Sequence, residues 1–162
     1  QTCGQEGPLV IANYNCPGQL VLSGSSAALQ RAMEEARAHG ARRVIPLKVS
    51  AAFHSPLMGE AADGLAQAIS RTALAPAQIP VVANVSARPL QEADEIAAEL
   101  VQQVCSPVRW TAGLRWMWEQ GVREFIEIGP GTVLAGLVRR TLPEAQAKSV
   151  GTLEQVRALL GG

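Results

Sequence analysis

From residue 25 onwards, short apolar runs alternate with amphipathic stretches of ten or more residues. This alternation restricts the fold more than any other feature of the chain. Strands joined by stretches of that length need crossovers, and crossovers imply a largely parallel sheet with helices on its faces. The expected strands are "RRVIPLKVS" (42–50), "IPVVANVS" (79–86), "EFIEIG" (124–129) and "AKSVG" (147–151). Helices are expected at 25–40, from Ser55 to about Thr72, from about Gln91 to Val104, from Trp110 to near Gly121, at 131–141 and at 152–160. In the first, Leu29, Ala32, Met33 and Ala36 share one face, Ser25 or Ser26 caps the start, and Gly40 caps the end. In the second, Leu57, Ala61, Leu65, Ala68 and Ile69 point inward. Pro46 puts the strand at 42–50 on an edge or bends it. "IPVVANVS" has the pattern of a strand covered on both faces.

The opening departs from this rhythm. Leu9–Tyr14 and "GQLVLSG" (18–24) are two strands joined by "NCPG", whose Pro17-Gly18 favours a tight reversal. The order β-β-α-β looks like most of a β-α-β-β-α-β ferredoxin-like unit without its first β-α. A start inside such a unit suggests an incomplete chain.

Composition narrows the class. A hydrophobic fraction of 48% with 17% charged residues in 162 residues supports one cored domain, with at most a small appendage. Acidic and basic residues balance at 14 each, which argues against a nucleic-acid-binding domain. Apolar runs fall short of the roughly 18 residues that cross a bilayer. No basic-then-apolar leader marks the chain for secretion, so a cytoplasmic setting is expected. Cys3, Cys16 and Cys105 form no CxxC, and His39 and His54 are the only histidines. A zinc site would need scattered ligands, so reduced thiols and no metal are expected.

Chemistry concentrates in "VSAAFHSPLM" (49–58). Ser55 is placed to cap a helix, and Pro56 suits the first helical position. His54 then stands just outside a helix start, where the positive pole disfavours a charged ring. A general base is one reading of it, and a loop histidine without a role is the other. No nucleophile-elbow GxSxG accompanies it. Ser25 and Ser26 open an ordinary amphipathic helix. Cys16 in a turn, or Cys105 near a helix end, would make a Cys–His pair, or each is a small bystander. "EIGPGTVLAG" (127–136) suits an anion at a helix start, or tight packing of the turn. "NYNCPGQ" (13–19) lines a polar pocket or bonds its own turn. Trp110, Leu114, Met117 and Trp118 form one helical stripe that fits a core better than a stacking platform. Arg31, Arg37, Arg42 and Arg43 make a solvated face or meet an acidic protein.

In this order, "NYNCPGQLVLSG", "VSAAFHSPLM", "IPVVANVSARPL", "LVQQVCSPVRWTAGLRWM" and "EIGPGTVLAGLVRR" resemble malonyl-CoA:acyl carrier protein transacylases and the related acyltransferase domains of polyketide and fatty-acid synthases. The resemblance implies an α/β fold in two parts. Residues 1–48 correspond to an incomplete ferredoxin-like small subdomain, and 49–162 to the C-terminal part of an α/β-hydrolase-like large subdomain. It implies malonyl transfer from coenzyme A to the phosphopantetheine thiol of acyl carrier protein in fatty acid biosynthesis, through a serine ester. His54 matches the catalytic histidine. Gln103 matches the residue whose backbone carbonyl orients that ring. Asn13 and Asn15 match polar residues facing the cleft, and Phe53 a position where phenylalanine accompanies malonyl preference. The coenzyme A thioester is then a substrate, with no bound cofactor.

The family's serine motif, first oxyanion-hole element and malonyl-binding arginine lie upstream of the matching region. The expected partners are malonyl-CoA, acyl carrier protein and an N-terminal half of the same enzyme. Without that half, apolar surface is expected on "VVANV" and "FIEI". One rival is a non-catalytic module docking acyl carrier protein through Arg31, Arg42 and Arg43. Another is a Cys–His hydrolase using Cys16 or Cys105.

Overall fold

Strands β5 (Glu124–Ile128) and β6 (Gln146–Val150) pair in parallel, and helix α5 (Val133–Thr141) makes the crossover between them. This is the unit that the strand–helix rhythm predicts. The computed structural model describes residues 7–161. In chain order the preceding elements are β1 (Leu9–Cys16), β2 (Gln19–Gly24), α1 (Ser26–Ala38), a 3-10 turn (Pro56–Met58), α2 (Gly59–Ile69), β3 (Val81–Val82), β4 (Pro89–Leu90), α3 (Ala93–Cys105) and α4 (Trp110–Glu119). Helix α6 (Leu153–Leu159) follows β6.

The core lies where α4 and α5 cover the parallel pair. Leu114, Val138 and Leu142 form its centre, and Trp110, Met117, Trp118, Phe125, Ala145 and Ala147 pack around them. The stripe read from α4 is therefore the core stripe, and burying it is the main driving force for this part. Arg123 stacks over the Trp118 ring at 3.9 Å and donates to the Trp118 carbonyl at 2.7 Å, which fastens the turn leaving α4.

The glycine turn before α5 does hold an anion, and the anion is the chain's own. Glu127 on β5 accepts from the N–H of Leu134 at 3.0 Å and of Ala135 at 2.9 Å. Its second oxygen also takes the Ser149 hydroxyl at 3.1 Å. Thr132, the N-cap residue, makes no side-chain cap bond, so Glu127 supplies the cap from a neighbouring strand. Gly129 and Gly131 adopt φ of 130° and 100°, which lets the chain turn tightly enough for this.

The opening hairpin forms as expected. β1 and β2 are antiparallel, with Gly18 at φ 75° in the turn. Ser25 caps α1 by accepting from Ala28 N at 3.2 Å. Gly40 closes α1 in a Schellman arrangement, with Ala41 N bonded to Ala36 O and Gly40 N to Arg37 O. β1 also bridges Val108 in parallel: Tyr14 N donates to Val108 O at 2.9 Å, and Val108 N to Ala12 O at 2.8 Å. The hairpin is thereby tied to the segment joining α3 to α4.

Three expectations fail. Residues 42–50 form no strand, although Ile45, Leu47 and Val49 are apolar, and all three are exposed. A strand exists only beside a partner, and among the described residues no ladder forms along this segment, while Pro46 lacks an N–H. Residues 79–86 contribute only Val81–Val82, paired antiparallel with Pro89–Leu90 in a hairpin. The chain reverses after Ala83, and Ala87 takes φ 56° there. The sheet is consequently not a large parallel one. Among the described residues there are three two-stranded sheets, and only β5–β6 is parallel. Lastly, the helix expected from Ser55 starts as a 3-10 turn. Only Leu65 and Ile69 of its inward set are half-buried in α2, while Leu57, Ala61 and Ala68 are exposed. The apolar surface expected on "FIEI" is present, since Ile126 and Ile128 are exposed. On "VVANV" it is not: only Val81 is exposed, Val82 and Val85 are half-buried, and Ala83 is buried.

Two measurements check this packing. Leu114→Ala is expected to cost about 2–5 kcal/mol in chemical denaturation, because the side chain is almost fully enclosed. The N–H groups of Ala135 and then Leu134 hold the Glu127 carboxyl below its ordinary value, and partial desolvation opposes them. Ser149 and Arg139 add to the lowering. A carboxyl lowered in the folded state stabilises above its unfolded pKa, and that contribution is lost as pH falls through the folded one. Glu127→Ala should therefore be less stable than the parent at neutral pH. The gap should narrow below the ordinary carboxylate range, as followed by urea titrations at each pH.

Candidate active site

Helix α3 ends at Cys105, Ser106 is extended, and Pro107 prevents continuation. Its last carbonyls therefore lack the usual amide partners four residues on, and locally Gln103 O receives only a long bond from the cap residue Ser106 N at 3.4 Å. His54 takes two of them. Its backbone N–H donates to Val104 O at 3.1 Å, and its ring Nδ1 lies 2.7 Å from Gln103 O. A carbonyl oxygen only accepts, so Nδ1 carries the proton and Nε2 keeps its lone pair. Nε2 is thus the basic atom of the site.

The backbone at His54 is in the left-handed region, with φ 58°. Such a conformation costs on the order of 1–3 kcal/mol for a residue with a Cβ, so its surroundings must hold it. The α3 carbonyls hold it from one side. Ser55, fully buried, holds it from the other: its hydroxyl donates to Ala52 O at 2.7 Å and accepts from Leu57 N at 3.3 Å. Pro56 opens the 3-10 turn. The capping pattern read from "HSP" is present.

Residues that sequence reasoning passed over stand behind this pair. Gln103 Oε1 accepts from Asn84 Nδ2 at 2.8 Å. The Asn84 carbonyl accepts from Arg109 N at 2.8 Å, at the N-cap of α4. Val85 N donates to Glu99 Oε1 at 2.8 Å. Glu99 and Gln103 are four apart on α3, so one helix face grips the 84–87 turn. The signals were an asparagine inside an apolar run and that four-residue spacing.

The other predicted residues are placed as follows. Phe53 precedes His54 and is exposed; Asn13 and Asn15 are half-buried on β1, Asn13 opposite Val108. Direct hydrogen bonding joins only His54 and Gln103 of the predicted set. Cys16 is buried with its Sγ 3.5 Å from Gln19 Oε1, which suits a packed thiol better than a nucleophile. Cys105 is half-buried at the end of α3, and the assigned bond of the His54 ring goes to a carbonyl. Arg31 and Arg37 are exposed on α1, and Arg42 and Arg43 in the segment after it.

A shallow depression of about 430 Å³ lies against α4, lined by Tyr14, Arg109, Thr111, Ala112, Arg115, Trp116 and Glu119. It does not include His54, and bond geometry is a better guide to chemistry than the size of an open hollow. Among the described residues, no group of three or more His, Cys, Asp and Glu is arranged to hold a metal ion. No helix there is long and apolar enough to cross a membrane.

A mixed α/β framework thus presses a histidine Nδ1 onto a helix-terminal carbonyl, and in the neutral ring Nε2 is the atom that accepts a proton. The chain belongs to the acyl transferase domain family, which it matches over residues 3–158. It is 45% identical over 137 residues to the malonyl CoA-acyl carrier protein transacylase of Bacillus subtilis (strain 168), covering 84% of this chain and 43% of that protein. To the enzyme of the same name from Staphylococcus aureus (strain COL) it is 40% identical over 146 residues, 90% of this chain and 47% of that one. The solved acyl-carrier-protein-S-malonyltransferase of Bartonella henselae superposes with a TM-score of 0.95 at 41% identity, over 99% of this chain and 51% of that one. A type II PKS acyl-carrier protein in complex with its malonyl-transacylase gives 0.93 at 39%, over 99% and 52%. The fold of these structures is the mixed α/β fold seen here. The chain spans about half the length of the relatives it matches.

Nitrogen-15 NMR checks the tautomer. The neutral His54 ring is expected as the Nδ1–H tautomer, with that proton protected from exchange. A predominant Nε2–H signal would overturn the assignment.

Proposed function

We propose that these residues supply the general base of a malonyl transferase that works between coenzyme A and acyl carrier protein in fatty acid biosynthesis. The observation carrying this reading is the 2.7 Å contact of His54 Nδ1 with Gln103 O, which leaves Nε2 as the acceptor. The names of the relatives supply the substrate class.

In this reading the nucleophilic serine lies outside the 162 residues, since they hold no GxSxG. Nε2 takes the serine proton as the hydroxyl oxygen attacks the malonyl thioester carbonyl. A C–O bond forms, the C–S bond breaks, and the proton passes to the departing coenzyme A thiolate. In the second half the phosphopantetheine thiol gives its proton to Nε2, and its sulfur attacks the serine ester. The serine oxygen leaves and recovers the proton. The bond to Gln103 O strengthens whenever the ring is charged, so one carbonyl serves both halves. Asn13 and Asn15 line the polar side of the cleft. Phe53, adjoining His54, crowds a methyl branch on the acyl group. The coenzyme A thioester is a substrate, and no resident cofactor takes part.

The two-part organisation, with residues 1–48 in a small ferredoxin-like subdomain and 49–162 in a large hydrolase-like one, belongs to the same reading. So does the partner of the exposed apolar surface. Ile45, Leu47 and Val49 are exposed on a segment without a ladder among the described residues, and Ile126 and Ile128 leave one face of β5 open. The remaining half of the domain, present in the longer relatives, packs there and brings the serine to Nε2.

The test is malonyl transfer from labelled malonyl-CoA to acyl carrier protein by the enzyme expressed with its upstream half. His54→Ala is expected to lower kcat/KM by about 10²–10⁴-fold. Unchanged transfer by that variant would reject the assignment. The 162 residues alone should give no turnover.

A further inference from the structure

The turn at residues 84–87 makes more bonds than a surface turn needs. Asn84 is engaged at both ends, its side chain on Gln103 Oε1 and its carbonyl on Arg109 N, each at 2.8 Å. Val85 N is held by Glu99 at 2.8 Å. Ala87 is buried in a left-handed conformation at φ 56°, and its N–H bonds Ala83 O at 3.1 Å. A conformation of that cost persists only where its surroundings fix it. The turn is therefore a rigid block set against the last two turns of α3.

What it braces is a weak place. The final turn of a helix frays, because its carbonyls lack partners within the helix. Gln103 sits in that turn, two residues before α3 ends, and its carbonyl is the one that His54 Nδ1 uses. A small rotation of the Gln103 peptide would carry the imidazole with it and re-aim Nε2. The amide of the same residue is anchored by Asn84, so backbone and side chain of Gln103 act together as one bracket.

We propose that Asn84 is a positioning residue for His54, acting through the side chain and then the carbonyl of Gln103. Asn84 itself touches neither substrate nor the reacting atoms. The proposal rests on the transferase reading for its catalytic consequence. Its structural part, that the Asn84–Gln103 bond steadies the His54 ring, stands apart from that reading.

Two variants remove the same bond from opposite sides. Asn84→Ala deletes the donor. Gln103→Met deletes the acceptor while keeping the backbone carbonyl, a good helix former and the Asn84 link to Arg109. The first readout is exchange of the His54 Nδ1 proton in this chain, which needs no turnover. Both variants should speed that exchange by about tenfold or more, since the hydrogen-bonded state would open more often. The second readout is kinetic, in the enzyme with its upstream half. Each variant should lower kcat by roughly 10- to 100-fold, the scale of a misplaced catalytic group. KM for malonyl-CoA should stay within about twofold, because substrate contacts are untouched. The double variant should lose no more than either single one, as expected when two changes delete one interaction.

Unaltered proton exchange in Gln103→Met overturns the proposal even where Asn84→Ala fails to fold. Losses that multiply in the double variant overturn it too. Failure of the transferase reading looks different: His54→Ala keeps full transfer, while the exchange data still report on Asn84.

Discussion

A single hydrogen bond organises the site. His54 Nδ1 meets the Gln103 carbonyl at 2.7 Å, and that contact fixes which ring nitrogen is basic and where it points. It depends on a general property of helices, the surplus of acceptors in the last turn. Helix α3 spends that surplus on one residue, giving Gln103 O to the ring and Val104 O to the His54 backbone. A side-chain acceptor would have had rotamer freedom of its own. A carbonyl embedded in a helix has little, which makes it a stiffer support for an imidazole.

Other features follow from keeping that contact in register. The left-handed backbone at His54 presents N–H and ring to the same helix end. Ser55 and Pro56 turn the chain away at once, so His54 stays outside the regular elements. The turn after β3 reaches α3 through Asn84 and Val85, and it reaches the start of α4 through Arg109. α4 then carries the stripe that meets α5 over the parallel pair, so the site is wired to the core through one short path. Glu127 shows the same economy elsewhere, a strand carboxylate capping a helix whose own N-cap makes no side-chain bond.

Exposed apolar residues give the rest of the molecule its character. Parallel sheets are ordinarily covered on both faces. Here α4 and α5 cover one face of β5–β6, while Ile126 and Ile128 remain open on the other. The run 44–49 is largely apolar and forms no ladder among the described residues. In the proposed enzyme these are the surfaces that receive the half of the domain carrying the serine.

Much of this was legible in the chain. Periodicity identified α1, α3, α4 and α5, the Trp110–Trp118 stripe and the parallel β5–α5–β6 unit, because each is set by neighbours within a few turns. "HSP" announced the cap beside His54. Strand identity at 42–50 and 79–86 was not legible, since a strand exists only where a partner supplies a ladder, and local pattern cannot report a distant partner. The Gln103 carbonyl was reached through family resemblance alone, because a backbone oxygen leaves no mark in sequence. Asn84 and Glu99 were overlooked because their meaning lies in contacts 19 and 14 residues away. The amino-acid order by itself thus determined which helices form, how they end and which histidine stands beside a helix cap. Only tertiary structure decided which ring nitrogen is basic and what braces it, because both depend on groups that folding alone brings within hydrogen-bond distance.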